Sequence, residues 1–241
     1  MPRTARLGND VVDLNEAGVA GKAGDQRFVE RVFTAEERAW IADGADPDLA
    51  LWRLWSAKEA AYKAAYKAAG KTVADLVFAH RSFEVDANDG VVRYGDQVFS
   101  VAWHHGPGWL HCLALETTAD ATADHAIWEV AALMPGPQSS NVEAAATAAR
   151  TQSVAPAQPS ARPSATRSTT PSTTPSAQVR ALACRMLARA GWADAAIVRP
   201  LGTTAARPGP PEAHIGGERL EGVEVSLSHD GQWVAAALAW P

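Results

Sequence analysis

Between Pro135 and Ser176 the chain reads PGPQSSNVEAAATAARTQSVAPAQPSARPSATRSTTPSTTPS, without one aromatic residue. Such a stretch cannot bury enough apolar surface to offset the entropy of ordering it. It is expected to be a disordered, flexible linker, in which residues 141–150 (NVEAAATAAR) could form a short helix. The chain therefore divides into an N-terminal part (1–134), a linker (135–176) and a C-terminal part (177–241). Any packed structure has to be assembled from two unequal segments that a flexible tether joins.

In the first part, LGNDVVDL (7–14) reads as a strand with a polar tip. Residues 25–43 read as one helix with Phe28, Val32 and Phe33 on one side. Residues 48–69 are the clearest helix, with Leu51, Leu54, Trp55 and Tyr62 near helical spacing and alanine filling much of the rest. Strand patterns follow at 81–86, 91–94, 97–104 and 109–116, broken by NDG and HGPG turns. In the C-terminal part, QVRALACRMLARAG reads as a helix ended by Gly191. VEVSLS and WVAAALAW then read as two strands around HDGQ. The runs VFSVAWHHGPGWLHCLAL and VEVSLSHDGQWVAAALAW share one layout: a strand, a polar turn with histidine and glycine, and a tryptophan opening a second strand. Two readings stay open: hairpins that happen to look alike, or two similar halves packed face to face.

The composition narrows the function. A net charge of −5 over 241 residues argues against a general nucleic-acid binder. Cys112 and Cys184 have no ligand-like spacing and read as free thiols of a reducing compartment. No stretch has signal-peptide character or approaches the roughly 20 apolar residues that span a bilayer. A soluble, cytoplasmic protein without nucleic-acid or membrane partners is expected.

Three groups of residues can carry chemistry. Asp10 and Asp13 lie at a strand end, where a carboxylate can hold a hard cation, although a lone aspartate there is more often a turn acid. In WSAKEAAYK (55–63), Glu59 and Lys63 share a helix face. One can hold a metal while the other meets a phosphate oxygen, or the two can form an exposed ion pair. Lys58 points roughly 100° away from Glu59. In SLSHDG (226–231), His229 at a strand-to-turn junction can donate to a phosphate or move a proton, and Asp230 and Gly231 can equally be turn formers.

Taken together and in order, GNDVVDL, RFVERVFTAEE (27–37), WSAKEAAYK and VSLSHDG resemble the 4'-phosphopantetheinyl transferase superfamily. The most specific element is W-S-x-K-E-A-x-x-K, matched from Trp55 to Lys63. The resemblance covers about 1–70 and 177–240. It implies an α+β fold of two similar half-units related by a pseudo-twofold and packed face to face. It also implies Mg²⁺ as cofactor, coenzyme A as substrate and an apo acyl or peptidyl carrier protein as partner. Asp10 matches the family's metal-binding aspartate and Glu59 its metal-binding or proton-accepting glutamate. Lys58 and Lys63 match lysines near the phosphates and pantetheine arm of coenzyme A. Ser228 and His229 match a pair that contacts those phosphates. Arg207 stands loosely where many members have Gly-Lys-Pro beside the nucleotide, with Ala206 in place of the glycine.

Two departures matter. Surfactin-type members carry a second acid two residues after the first, where this chain has Val12. Asp13, three residues on, is spaced as in the short holo-acyl-carrier-protein synthases. The serine–histidine motif also follows the glutamate motif, as in those synthases, yet the chain is about twice their length. Two half-units in one monomeric chain, with WHHG (103–106) as a counterpart of SHDG that serves no site, reconcile the two.

The implied reaction moves phosphopantetheine from coenzyme A to a carrier serine and releases adenosine 3',5'-bisphosphate. Mg²⁺ on Asp10, Glu59 and Asp13 is implied to neutralise the diphosphate. Glu59 and Lys63 complete the catalytic set with Asp10, and either Glu59 or a metal-bound water takes the serine proton. Arg27, Arg31 and Arg38 are either a patch for an acidic carrier or solvated helix charges. Two other classes compete: a catalytically inactive carrier-binding module of the same fold, and a metal-dependent coenzyme A binder with another reaction.

Overall fold

The structure is a computed structural model that describes residues 3–68, 78–117, 121–134, 174–200 and 209–241. It mixes helices with largely antiparallel sheets. The strands of the first part are β1 (Arg3–Thr4), β2 (Leu7–Asp13), β3 (Glu84–Asp86), β4 (Val91–Tyr94), β5 (Gln97–Gly106), β6 (Trp109–Glu116), β7 (Ala121–Thr122) and β8 (His125–Ala132). Its helices are α1 (Gln26–Val32), α2 (Ala35–Asp43) and α3 (Pro47–Ala68). The second part supplies α4 (Pro175–Arg189), β9 (Ala196–Val198), β10 (Glu212–Ile215), β11 (Glu218–Arg219), β12 (Glu224–Asp230) and β13 (Trp233–Trp240). Most of the segment read as a linker lies outside the described residues. Its last residues, from Pro175, already belong to α4, which Thr174 caps by accepting from the Ala177 N–H.

The single helix expected over 25–43 is two helices. Thr34 breaks it, because its side chain accepts from the Glu37 N–H while the Glu37 carboxylate accepts from the Thr34 N–H. This reciprocal capping box starts a new helix. The strand expected at 81–86 shortens to β3, with a 3₁₀ turn over His80–Ser82 before it. Strand β8 was not legible in the sequence pattern. Cys112 and Cys184 are both free.

The main sheet has the order β2-β6-β5-β4-β3, and a second has the order β12-β13-β8. Strand β8 thus precedes the linker in sequence yet pairs with β13 from the other side of it, with Glu129 opposite Ala236. Helix α3 covers the main sheet through Ala57, Ala60, Ala61, Ala64 and Ala65, which pack on Phe83, Phe99, Val101, Cys112 and Ala114. Small side chains let the helix come close to the strand. At Gly8 a Cβ would lie 1.8 Å from the Ala60 carbonyl oxygen, so only glycine fits there. Helix α4 covers the second sheet through Val179, Leu182, Ala183, Met186 and Leu187. The other faces of the two sheets meet over Leu7, Val11, Trp109, Trp128, Val130, Ala235, Ala237 and Ala239.

Where the sheets meet, side chains of β12 take the place of a neighbouring strand for β2. The N–H groups of Asn9, Val11 and Asp13 donate to Ser226 Oγ (2.9 Å), Ser228 Oγ (3.3 Å) and Asp230 Oδ2 (2.8 Å). The period of two on both strands matches donor to acceptor. A buried N–H left without a partner costs about 1–3 kcal/mol, so this ladder fixes the register of one part against the other. Lys67 of α3 reinforces it, donating to the carbonyls of Leu7 and Val225 and standing 3.6 Å from Glu224.

Candidate active site

A cleft of about 740 Å³ opens where α3, the end of β2 and the loop after it face α4 and the end of β12. Its lining draws on both sides of the linker: Asp10, Glu59 and Lys63 from one, Ser228, His229 and Asp230 from the other. Alternation along β2 turns Asp10 toward α3, and the close approach at Gly8 brings Lys63 onto it. Lys63 Nζ donates to Asp10 Oδ1 at 2.8 Å, to the Asn9 carbonyl at 3.0 Å and to Ser228 Oγ at 3.2 Å. Ser228 Oγ in turn donates to Asp10 Oδ1 at 2.9 Å. Glu59 sits one helical turn before Lys63 on the same face.

The electrostatics are those of charges held out of water. Burial raises the Asp10 carboxyl above the usual carboxylate range, and Lys63 and Ser228 oppose that rise. Burial also pushes Glu59 up to about 7, helped by the Asp10 charge and opposed by Lys63. Two carboxylates whose charges work against each other in a shared cleft suit a hard cation with oxygen ligands. No group of three or more His, Cys, Asp or Glu side chains among the described residues is placed to hold a metal unaided.

The other residues singled out in the sequence fall elsewhere. Asp13 does not line the cleft. Its carboxylate accepts from the Asn15 N–H (3.0 Å) and the Gln232 N–H (2.9 Å), which ties the two turns together. Gly231 makes room for this, since a Cβ there would lie 2.2 Å from Asp13 Oδ2. Lys58 is fully buried and donates to Glu37 Oε1 at 2.7 Å, to the His80 carbonyl at 3.0 Å and to the Phe83 carbonyl. These acceptors engage its ammonium group, and burial lowers its pKa even against the pull of Glu37. Lys58 therefore clamps α2, α3 and the chain before β3. Arg207 lies outside the described residues.

Several cleft residues carried no signal in the sequence. Lys22, Trp52, Arg180 and Arg199 are such residues; Phe28 and Trp55, already marked in the sequence as an apolar helix position and as the start of the motif, line the cleft with them. The Trp55 ring stacks on His80 at 4.9 Å and lies 5.5 Å from Phe28. These cations come from three distant segments that only the packing of the two parts brings together. Asp230 had been legible only as a turn former.

The comparisons with known proteins agree with part of this picture. Residues 6–114 match the family model described as the 4'-phosphopantetheinyl transferase superfamily. The resemblance read from the motifs is thus borne out over the segment that holds Asp10, Glu59 and Lys63, and it supports a phosphopantetheinyl transferase role. The match stops before Ser228 and His229. A holo-[acyl-carrier-protein] synthase from Neisseria meningitidis aligns at 20% identity over 47% of this chain and 98% of its own, with a TM-score of 0.35. The corresponding protein from Thermotoga maritima aligns at 17% identity over 52% of this chain and 68% of its own, also with a TM-score of 0.35. Superpositions this loose carry no argument of their own. No curated protein matches the chain.

Proposed function

Starting from the superfamily match over residues 6–114, we propose that this chain transfers the 4'-phosphopantetheine arm of coenzyme A to a serine of an apo carrier protein. One observation carries the reading. Asp10 and Lys63 meet Ser228, from beyond the linker, within 2.8–3.2 Å at a cleft that also holds Glu59 and His229. The carrier serine oxygen bonds to the phosphorus that bears pantetheine. The bond from that phosphorus to the bridging oxygen breaks, and adenosine 3',5'-bisphosphate leaves with the electron pair. Such a transfer needs positioning and charge neutralisation more than covalent help.

Asp10 and Glu59 are the residues that would hold Mg²⁺, which supplies positive charge against the diphosphate. The cleft needs it. Four Lys or Arg side chains and four Asp or Glu side chains line it, so its own charge is balanced before a polyanion enters. Lys63 and His229 hold phosphate oxygens, and Lys22, Arg180 and Arg199 are at hand for the rest of the nucleotide. Glu59 is also the carboxylate at hand to accept the serine proton. Asp13, with its carboxylate on two backbone N–H groups, is left out of the metal set.

The same reading makes the chain a monomer of two half-units. In chain order, β2-α3-β5-β6 corresponds to β8-α4-β12-β13, and in both sheets the last strand lies between the first and the next-to-last. One chain then holds the interface that needs two subunits in a short synthase.

Mass spectrometry of apo carrier proteins incubated with the chain, coenzyme A and Mg²⁺ tests the function. A gain of one phosphopantetheine supports it. A stable complex with no gain on any carrier points instead to a binding module.

A further inference from the structure

The ammonium group of Lys63 occupies one oxygen of the carboxylate assigned to the cation. All three of its protons are engaged: with Asp10 Oδ1, the Asn9 carbonyl and Ser228 Oγ. Asp10 Oδ1 is engaged in turn by both Lys63 and Ser228. The Asp10 side chain is 10% exposed, while that of Lys63 is 28% exposed on the cleft. The aspartate is thus fixed in the interface, and the lysine, on a flexible four-carbon stem, is the partner that can move.

Lys63 and Ser228 engage Oδ1, so a divalent cation approaching the other oxygen of Asp10 does so beside this ammonium, in a setting where like charges repel far more than in water. Removing the ammonium without replacement strands a buried carboxylate, which is costly. A phosphate entering the cleft changes both terms, because it offers Lys63 a new anionic partner and leaves Asp10 in need of a cation.

We propose that Lys63 is a built-in counter-ion that makes cation binding at Asp10 and Glu59 conditional on a phosphate-bearing ligand. This rests on the transferase reading and adds an order to it. Lys63 holds Asp10 before the ligand arrives. It shifts to the ligand's phosphate when the ligand arrives, and the cation then takes its place. The coupling is reciprocal: the ligand tightens the cation by the same factor as the cation tightens the ligand.

The test measures binding of Mn²⁺ to the full chain, by the paramagnetic resonance of free Mn²⁺, with and without saturating coenzyme A. The wild type is expected to bind Mn²⁺ weakly alone and markedly tighter with coenzyme A. Lys63→Met is expected to bind Mn²⁺ alone at least about tenfold tighter than the wild type, and the gain from coenzyme A is expected to shrink by a similar factor. Lys63→Arg keeps the charge and is expected to behave as the wild type. Lys63→Gln replaces Lys63→Met if circular dichroism shows the latter unfolded. If the uncharged variants bind Mn²⁺ alone no tighter than the wild type, while Asp10→Asn abolishes the coenzyme A-dependent binding, the counter-ion role is wrong and the metal site stands. If Asp10→Asn leaves Mn²⁺ binding unchanged in both conditions, the cation lies elsewhere and both fall.

Discussion

Of the two hairpins that share a layout, β12–β13 turns its tip to the cleft and β5–β6 does not. Gly106 lies opposite Trp109 and Asp230 opposite Trp233, which sets His104 against Ser228, one residue off the WHHG–SHDG pairing expected from the sequence; Ser228 and His229 line the cleft, whereas His104 stacks on Trp128 at 4.2 Å. His111 belongs to the same cluster, 4.9 Å from Trp128 and 6.1 Å from His104. The ion pairs show the same contrast. Asp10, opposite Cys112 on β6, is paired with Lys63 beside a cleft. Glu129, opposite Ala236 on its own middle strand, is paired with Arg189, whose side chain is 55% exposed to open solvent. Even the helices sit differently, since Gly8 lets α3 lie on β2, whereas the corresponding place on β8 is filled by Ile127. One layout thus makes a site where its side chains are small, and fills with rings where they are large.

Changes to matched positions sharpen that contrast or break it. The largest effect is expected at Gly8, where Gly8→Ala drives a Cβ into the Ala60 carbonyl and lifts α3 off β2. Overpacking of this kind costs about 3 kcal/mol, read as a lowered denaturation midpoint, and turnover falls with it. Ile127→Val on the other side is expected to cost only about 1 kcal/mol and leave turnover intact. Asp10→Asn comes next, with a turnover loss of roughly two orders of magnitude, or about 2.7 kcal/mol. Glu129→Gln is expected to stay within about twofold, because its partner is largely solvated and such pairs are worth little.

The third effect is one of pH. Burial presses the His111 imidazole down to about 3, with His104 and Lys63 adding to the shift. The unfolded chain takes up a proton near 6.5 and the folded chain does not, so this contribution is intact above about 6.5 and is lost as the pH falls toward 3. By pH 5 it amounts to about 2 kcal/mol of lost stability. Urea denaturation at pH 7 and 5 reads it, and His111→Leu is expected to flatten the difference. The smallest effect is expected at His229. His229→Ala raises the KM for coenzyme A several-fold with little change in kcat, since its partner is a phosphate present in the ground state. His105→Ala, at the matching place, is expected to change neither.

The sequence was most informative where a local rule acts. The α3 helix, β4 and β6 follow periodicity and turn residues closely. The break at Thr34 was also written locally, in T-A-E-E, but the apolar pattern running through Phe33 masked it. Strand β8 had no such signal, because HAIWEVAA is ordered by pairing with β13 rather than by alternation. The motif residues were visible as a set, but their roles were not. Lys58 and Lys63 read alike in W-S-x-K-E-A-x-x-K, and five residues along a helix separate a buried clamp on Glu37 from a cleft cation. Asp13 was ambiguous for the same reason, since only the second part of the chain supplies the Gln232 N–H that engages it. Lys22, Arg180 and Arg199 could not be found at all without the packing of one part on the other.

The central claim is that one chain, alone, builds one transfer site between its two parts. The most direct measurement separates the purified protein by size with light scattering on the eluate and assays each fraction for phosphopantetheine mass gain on apo carrier proteins. The monomer fraction is expected to carry the full activity, and Asp10→Asn in that fraction to remove it while Glu129→Gln does not. Activity confined to a trimeric fraction, or equal loss in the two variants, would contradict it.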